Sequence, residues 1–209
     1  MRPAALLLDF NGTLSDDEHI QYEIYREIFA EAGKPLAEAE YFEQLAGLSD
    51  PEIVRTWFGE ARPELVAERV RRYRTRAANG STVGPEKREA VRYAAKRAQL
   101  AIVSVAARVE IESVLRAAGL AALVSLVISV EDVATGKPDP AGYTLALRHL
   151  KRRPDEAVVI EDSEAGVAAA KAAGLYCIAL EGTMAIDRLG RADEVVGALD
   201  VELMRRVLG

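Results

Sequence analysis

The chain has 209 residues, 50% of them hydrophobic and 29% charged, which suits one domain, or one domain with a small insert, around a core of its own. A chain of this size buries roughly 70% of its unfolded surface, so no disulfide or structural metal is needed, and the single cysteine, Cys177, reads as a small core residue in a reducing compartment. With 33 Asp and Glu against 27 Lys and Arg, the formal charge of −6 argues against nucleic acid or an anionic membrane as a partner.

The first apolar run, residues 4–8, is too short for a signal segment or a membrane span, and a cytoplasmic protein is expected. It predicts a buried strand ending at Asp9, followed by Phe10, Asn11, Gly12, Thr13 and Leu14. A carboxylate at the end of a buried strand, with glycine where the backbone must turn, can serve as a nucleophile or a hard-metal ligand, and Thr13 can bond a phosphate oxygen. An aspartate in that position is also a common turn or helix cap.

Residues 16–80 then change rhythm, with Ile20, Ile24 and Ile28 four apart, Ile53 paired with Trp57, Val54 paired with Phe58, and no strand pattern. Arg69, Arg71, Arg72, Arg74 and Arg76 spread around a helix at about 100° per residue, which predicts a solvated face. Asn79, Gly80, Ser81, Gly84 and Pro85 close the segment as turn formers and predict a hinge. The expected division is a core of residues 1–15 and 81–209 and a helical cap of residues 16–80.

Further apolar runs at 100–105, 123–130, 157–160, 175–180 and 194–196 alternate with helical patterns such as 165–173, which ends at Gly174. That alternation predicts an α/β fold, doubly wound around a mostly parallel sheet covered on both faces. In such sheets ligands bind beyond the carboxyl ends of the strands, where a segment inserted after Asp9 must also sit. Three more loops follow the predicted strands. Ser104, with Arg108 at the following helix start, offers a phosphate cradle or an ordinary helix cap. Lys137, between Gly136 and Pro138, offers a cation on a stiff turn or a solvated loop lysine. Glu161 and Asp162 repel one another unless a divalent cation offsets the charge, although a helix N-terminus also welcomes them. Each loop is weak evidence alone; together they supply a nucleophile, a phosphate hydroxyl, a cation and metal carboxylates on one face of a sheet.

The segments DFNGTL at 9–14, Ser104, GKPDP at 136–140 and IEDSEAGVAAAKAAG at 160–174 resemble, in order and spacing, the haloacid dehalogenase superfamily, and the likeness spans essentially the whole chain. The small cap after the first motif resembles the branch of β-phosphoglucomutase and phosphoglycolate phosphatase. The resemblance implies a Rossmann-like core and Asp9 as the nucleophile of an aspartyl-phosphate that water then hydrolyses. It implies Ser104 and Lys137 as phosphate ligands, and Mg²⁺ on Asp9, the Asn11 backbone carbonyl and Asp162, with Glu161 close by or bound through water. Gly12, Thr13 and Arg108 join the expected phosphate contacts, and Ser49 joins them from the loop 45–50, which resembles the branch's specificity loop. The expected partner is a small phosphorylated metabolite, and the expected state a monomer or weak homodimer.

The chain departs from the superfamily pattern in three places. Asn11 stands where the family has a second Asp that acts as general acid and base; an amide can do neither, and the expected loss is about 10² to 10⁴ in rate, least for acyl and aryl phosphates. Asp50 stands where relatives that handle sugar bisphosphates place an arginine, which weakens a mutase reading. His19, Ile20 and Gln21 replace a Pro-Leu-His, so substrate choice does not transfer, and His19 reads as a cap surface residue. The leading expectation is a Mg²⁺ phosphatase. The alternatives are a phospholigand-binding or regulatory protein with little turnover, a phosphonatase using Lys34, or a dehalogenase, which would not need Glu161 and Asp162.

Overall fold

The protein is described by a computed structural model over residues 2–77 and 79–209. The first strand, β1 (Ala5–Leu8), is followed by four helices: α1 (Glu18–Glu31), α2 (Glu38–Gln44), α3 (Asp50–Phe58) and α4 (Pro63–Ala77). The chain then alternates: α5 (Pro85–Ala94), β2 (Gln99–Val103), α6 (Arg108–Ala117), β3 (Leu126–Ile128), α7 (Ala141–Leu150), β4 (Ala157–Glu161), α8 (Glu164–Ala172), β5 (Tyr176–Leu180), β6 (Glu194–Val196) and α9 (Val201–Leu208).

The strands form one parallel sheet in the order β3-β2-β1-β4-β5-β6, with Leu8 level with both Ile102 and Ile160. The chain moves outward from β1 through β2 to β3, then returns to lay β4 on the other side of β1. Strand order therefore reverses between β1 and β4, and a crevice opens beyond their carboxyl ends. Alternate residues serve opposite faces: Leu6, Leu8, Ile102 and Ile160 pack with α5, α6 and α9, whereas Ala5, Leu7, Val159 and Cys177 pack with α7 and α8. Both faces are covered, which is why these strands read as unbroken apolar runs.

Helices α1 to α4 bury Ile24, Tyr25, Ile28, Phe29, Tyr41, Ile53, Val54 and Tyr73, and this apolar set is continuous with the one under β1 and β2. Helix α3 starts after Ser49, whose hydroxyl and backbone N–H both donate to Glu52 Oε2, at 2.5 and 3.0 Å. The arginine run differs from its expected solvated face. Arg71, Arg72 and Arg76 do pair with Glu27, Glu31 and Glu68 at the surface, but Arg69 is buried at 1% exposure.

The two segments joining this helical layer to the sheet are bonded to each other. Asp16 N–H donates to Thr82 O at 2.8 Å, the Ser15 and Thr82 hydroxyls bond each other at 2.7 Å, and the Arg88 guanidinium donates to the carbonyls of Gly80 and Val83 at 2.6 and 2.7 Å. The stretch predicted as a hinge is thus bonded alongside the other linker, and Gly80, at φ +74°, lies where a Cβ would stand 2.7 Å from Ala118 N. Among the described residues no helix is long and apolar enough to cross a membrane.

Candidate active site

Asp9 extends β1 by one residue, its N–H donating to Ile160 O at 3.0 Å, so its carboxylate stands at the mouth of the crevice between β1 and β4. The chain turns sharply at Gly12 (φ +74°), where a Cβ would fall 1.9 Å from Asp162 Oδ2 and 2.6 Å from Thr183 Oγ1. Glycine is required twice over, by backbone conformation and by space. The next residue, Thr13, is wholly buried and donates to Asp162 Oδ1 at 3.0 Å. The Thr13 hydroxyl therefore orients a carboxylate instead of facing the cavity as a phosphate contact.

Lys137 reaches in from the turn after β3 and bonds Asp9 Oδ1 and Glu161 Oε1, the latter at 2.5 Å. Glu161 is fully engaged: Tyr143 donates to Oε1 at 2.5 Å, while Asp162 N and Ser163 Oγ donate to Oε2 at 3.2 and 3.3 Å. A Cβ on Gly166 would lie 2.0 Å from this carboxylate, so α8 can begin beneath it only with glycine there. One oxygen each from Asp9, Glu161 and Asp162 lies within 4.8 Å of the others. Burial, with only partial compensation by Lys137, raises the Asp9 pKa well above the usual carboxylate range. Asp162 is pushed up to about 7 by burial and then by Glu161, against the bond from Thr183. Burial alone would lower the Lys137 pKa, but Asp9 and Glu161 raise it above its usual value.

Asp9, Asn11, Ser104, Lys137 and Asp162 share one cavity. The opposite wall comes from the helical layer: Glu18, Gln21, Tyr41, Asp50 and Arg69. Ser104 Oγ accepts from Ala106 N at 3.1 Å, which leaves its proton free to donate. The Asn11 amide donates to Asp17 Oδ2 at 2.9 Å, and the same carboxylate oxygen accepts from Ser15 Oγ and Tyr73 OH. In the wall, Arg69 Nη1 lies 2.5 Å from both oxygens of Glu110 on α6, Nη2 bonds Gln21, and Nε is 3.3 Å from Asp50 Oδ1.

Other residues singled out in the sequence lie elsewhere. Arg108 turns outward to Asp132 and the Val127 carbonyl, because α6 carries its side chain to the protein surface. Ser49 gives its hydroxyl proton to Glu52 at the start of α3. Gly12 faces an outer groove, with Glu18, Phe42 and Thr183. Lys34 bonds the Trp57 carbonyl and sits 5.2 Å from the centre of the Trp57 ring, away from the cavity. His19 is exposed and stacks edge-on with Phe42. Sequence reasoning did not single out Glu18, Arg69, Tyr41 or Thr183 for the site. Only Glu18, close after the first motif, carried a positional hint.

Residues 6–180 match the family of haloacid dehalogenase-like hydrolases. Among curated proteins, the validoxylamine A 7'-phosphate phosphatase of Streptomyces hygroscopicus subsp. limoneus is 30% identical, with 90% of each chain covered. The phosphorylated carbohydrates phosphatase of Thermotoga maritima is 30% identical over 82% of each. Among solved structures, CbbY from Rhodobacter sphaeroides in complex with xylulose-(1,5)bisphosphate superposes with a TM-score of 0.87 at 27% identity, covering 97% of this chain and 96% of that one. A β-phosphoglucomutase from Clostridium difficile shares the fold, with a TM-score of 0.85 at 17% identity over 99% and 97% of the two chains. With the carboxylate cluster at the strand-order switch and these likenesses along nearly its whole length, the chain is an enzyme belonging to the haloacid dehalogenase-like hydrolase family.

Proposed function

We propose that this enzyme is a Mg²⁺-dependent phosphatase of a small phosphorylated metabolite, in which Asp9 attacks phosphorus. The observation that carries this reading is the cluster of Asp9, Glu161 and Asp162, three buried carboxylates facing one ammonium. Such an uncompensated set of hard oxygen donors suits Mg²⁺, held by Asp9, the Asn11 carbonyl and Asp162, with Glu161 close by. When bound, the ion offsets charge on the phosphoryl oxygens and lets Asp9 stay ionised.

The residues themselves do the rest. Lys137 and the free hydroxyl proton of Ser104 hold phosphoryl oxygens and orient phosphorus towards Asp9. An Asp9 oxygen bonds phosphorus, the ester oxygen leaves, and water then attacks the aspartyl-phosphate to regenerate Asp9. Glu161 and Tyr143 fix the Lys137 ammonium, and Thr13 fixes Asp162. Asn11 cannot move protons, so the position that normally does so contributes none of its usual factor of about 10² to 10⁴.

The cavity, at about 30 Å³, holds little more than a water, so substrate entry requires α1 to α4 to lift from the strand ends. The named relatives favour a phosphorylated carbohydrate or a polyol of similar shape. A second phosphate is disfavoured because Asp50 projects a carboxylate into the wall, where it accepts from Tyr25 OH at 2.5 Å. The expected setting is the cytoplasm, as a monomer or weak homodimer, consistent with a free buried thiol at Cys177. A second reading, phospholigand binding with little turnover, rests on Asn11.

The test is a panel of alkyl and aryl phosphates, acyl phosphates, phosphonates and haloacids assayed with and without Mg²⁺, alongside calorimetric Mg²⁺ titration of wild type and Asp162→Ala. Phosphate monoesters should be hydrolysed only with the ion, and Asp162→Ala should bind Mg²⁺ at least tenfold more weakly. Equal affinity in the two proteins, or metal-independent turnover of haloacids, would remove the proposed site.

A further inference from the structure

If phosphatase chemistry runs on Asp9, the departing oxygen of an alkyl ester needs a proton, and Asn11 has none to give. Its amide is committed to Asp17. The other cavity-facing carboxylates are also occupied: Asp9 is the nucleophile, Asp162 is held by Thr13, and Asp50 is bonded by Tyr25 beside Arg69. Glu18 is different. It opens α1, lines the cavity together with Asp9 and Asn11, and also lines the outer groove on the far side of the same segment. Its Oε2 accepts one bond, from Tyr41 OH at 3.0 Å, and among the described residues no cation pairs with it. Among the described residues it is the one carboxyl group that lines both the cavity over Asp9 and the outer groove, a route by which a proton can exchange with solvent.

We propose that Glu18 is the general acid and base of this enzyme, doing from the helical layer what Asn11 cannot do from the first motif. This rests on the phosphatase reading above. In the first step an Asp9 oxygen bonds phosphorus, the phosphorus–oxygen ester bond breaks, and the leaving oxygen takes the Glu18 proton and departs as an alcohol. In the second, water attacks phosphorus and gives a proton to the Glu18 carboxylate. The bond between phosphorus and Asp9 then breaks, and phosphate is released with both side chains restored. The groups around Glu18 set it for this order. Burial and then the Asp17 charge push it up to about 8, with Asp9 acting in the same direction and Tyr41 and Arg69 opposing. Asp162 also faces it. Near neutral pH Glu18 therefore starts protonated, as an acid must.

The test compares wild type, Glu18→Gln and Glu18→Gln/Asn11→Asp on an alkyl phosphate and on p-nitrophenyl phosphate, with saturating Mg²⁺ and full pH profiles. Glu18→Gln should lower kcat on the alkyl ester by about 10² to 10⁴ and leave KM within a few-fold. It should cost the aryl ester far less and abolish the alkaline limb of the kcat profile. Asn11→Asp should rescue alkyl turnover more strongly in the Glu18→Gln background than in wild type, which also shows that the variant is folded and its site intact. Equal losses on both esters, no loss on either, or equal gains from Asn11→Asp in both backgrounds would overturn the role of Glu18 while leaving the phosphatase reading standing. A wild type that hydrolyses neither ester with Mg²⁺ would overturn both.

Discussion

The two sides of the cavity put their buried cation to different uses. On the strand side Lys137 alone faces Asp9, Glu161 and Asp162, and carboxylate charge is left over. On the helical side Arg69 bonds Glu110 and Gln21 and pairs with Asp50, and its Glu110 partner comes from α6 of the sheet layer. The strand-side carboxylates are the proposed cation site, whereas Arg69 is a tie that holds the helical layer on the sheet through Glu110. Buried charge alone does not single out a functional group; what the group is bonded to and which space it faces do.

The most damaging way to break this contrast is to remove Arg69. Arg69→Met leaves Glu110 and Asp50 without their partner and should cost about 3–5 kcal/mol of stability, read as a fall in the denaturant midpoint. Replacing Glu110 by Leu in the same chain should recover most of that loss. Burial already raises Glu110 to about 7 despite Arg69, so the single variant should suffer less in mild acid, where Glu110 takes a proton, than at alkaline pH. An unchanged midpoint would mean that the wall is not a tie.

A smaller effect draws on one carboxyl group from each side. Asp162 at about 7 and Glu18 at about 8 hold protons in the folded protein that they lose near 3.8 and 4.5 when exposed. Between those values the native state binds more protons than the unfolded one, so these groups stabilise the metal-free fold at low pH and that contribution is lost as pH rises towards 8. Thermal melts of metal-free protein should show Tm falling across this window, and saturating Mg²⁺ should flatten the slope. A slope that is the same with and without the ion would contradict a metal at Asp162.

Much of this was legible in the sequence because it depends on short-range pattern. Unbroken apolar runs identified the strands, since both faces of the sheet are buried. The third run was read too long, at 123–130, because single turns at Ala121–Leu123 and Val130–Asp132 use apolar residues at either end of β3 (Leu126–Ile128). Asp9, Ser104, Lys137 and Asp162 converge because each follows a strand of the same parallel sheet. The failures are residues whose fate is set by distant partners. Arg69 looked like one more solvated arginine, and Glu110, 41 residues away in sequence, together with Gln21 and Asp50, makes it a core residue. Thr13 is claimed by Asp162, 149 residues on. Ser49 shows the opposite case, since its bond to Glu52 is local and was there to be seen in the three-residue spacing.

The most direct measurement is to trap the phosphoryl group itself. Wild-type enzyme mixed with Mg²⁺ and an aryl phosphate, quenched in acid within one turnover and digested, should yield a phosphoryl adduct on the peptide spanning 9–14, localised to Asp9 and absent from Asp9→Asn, which should also be inactive. An adduct on Ser104, or turnover by Asp9→Asn at the wild-type rate, would contradict Asp9 as the nucleophile.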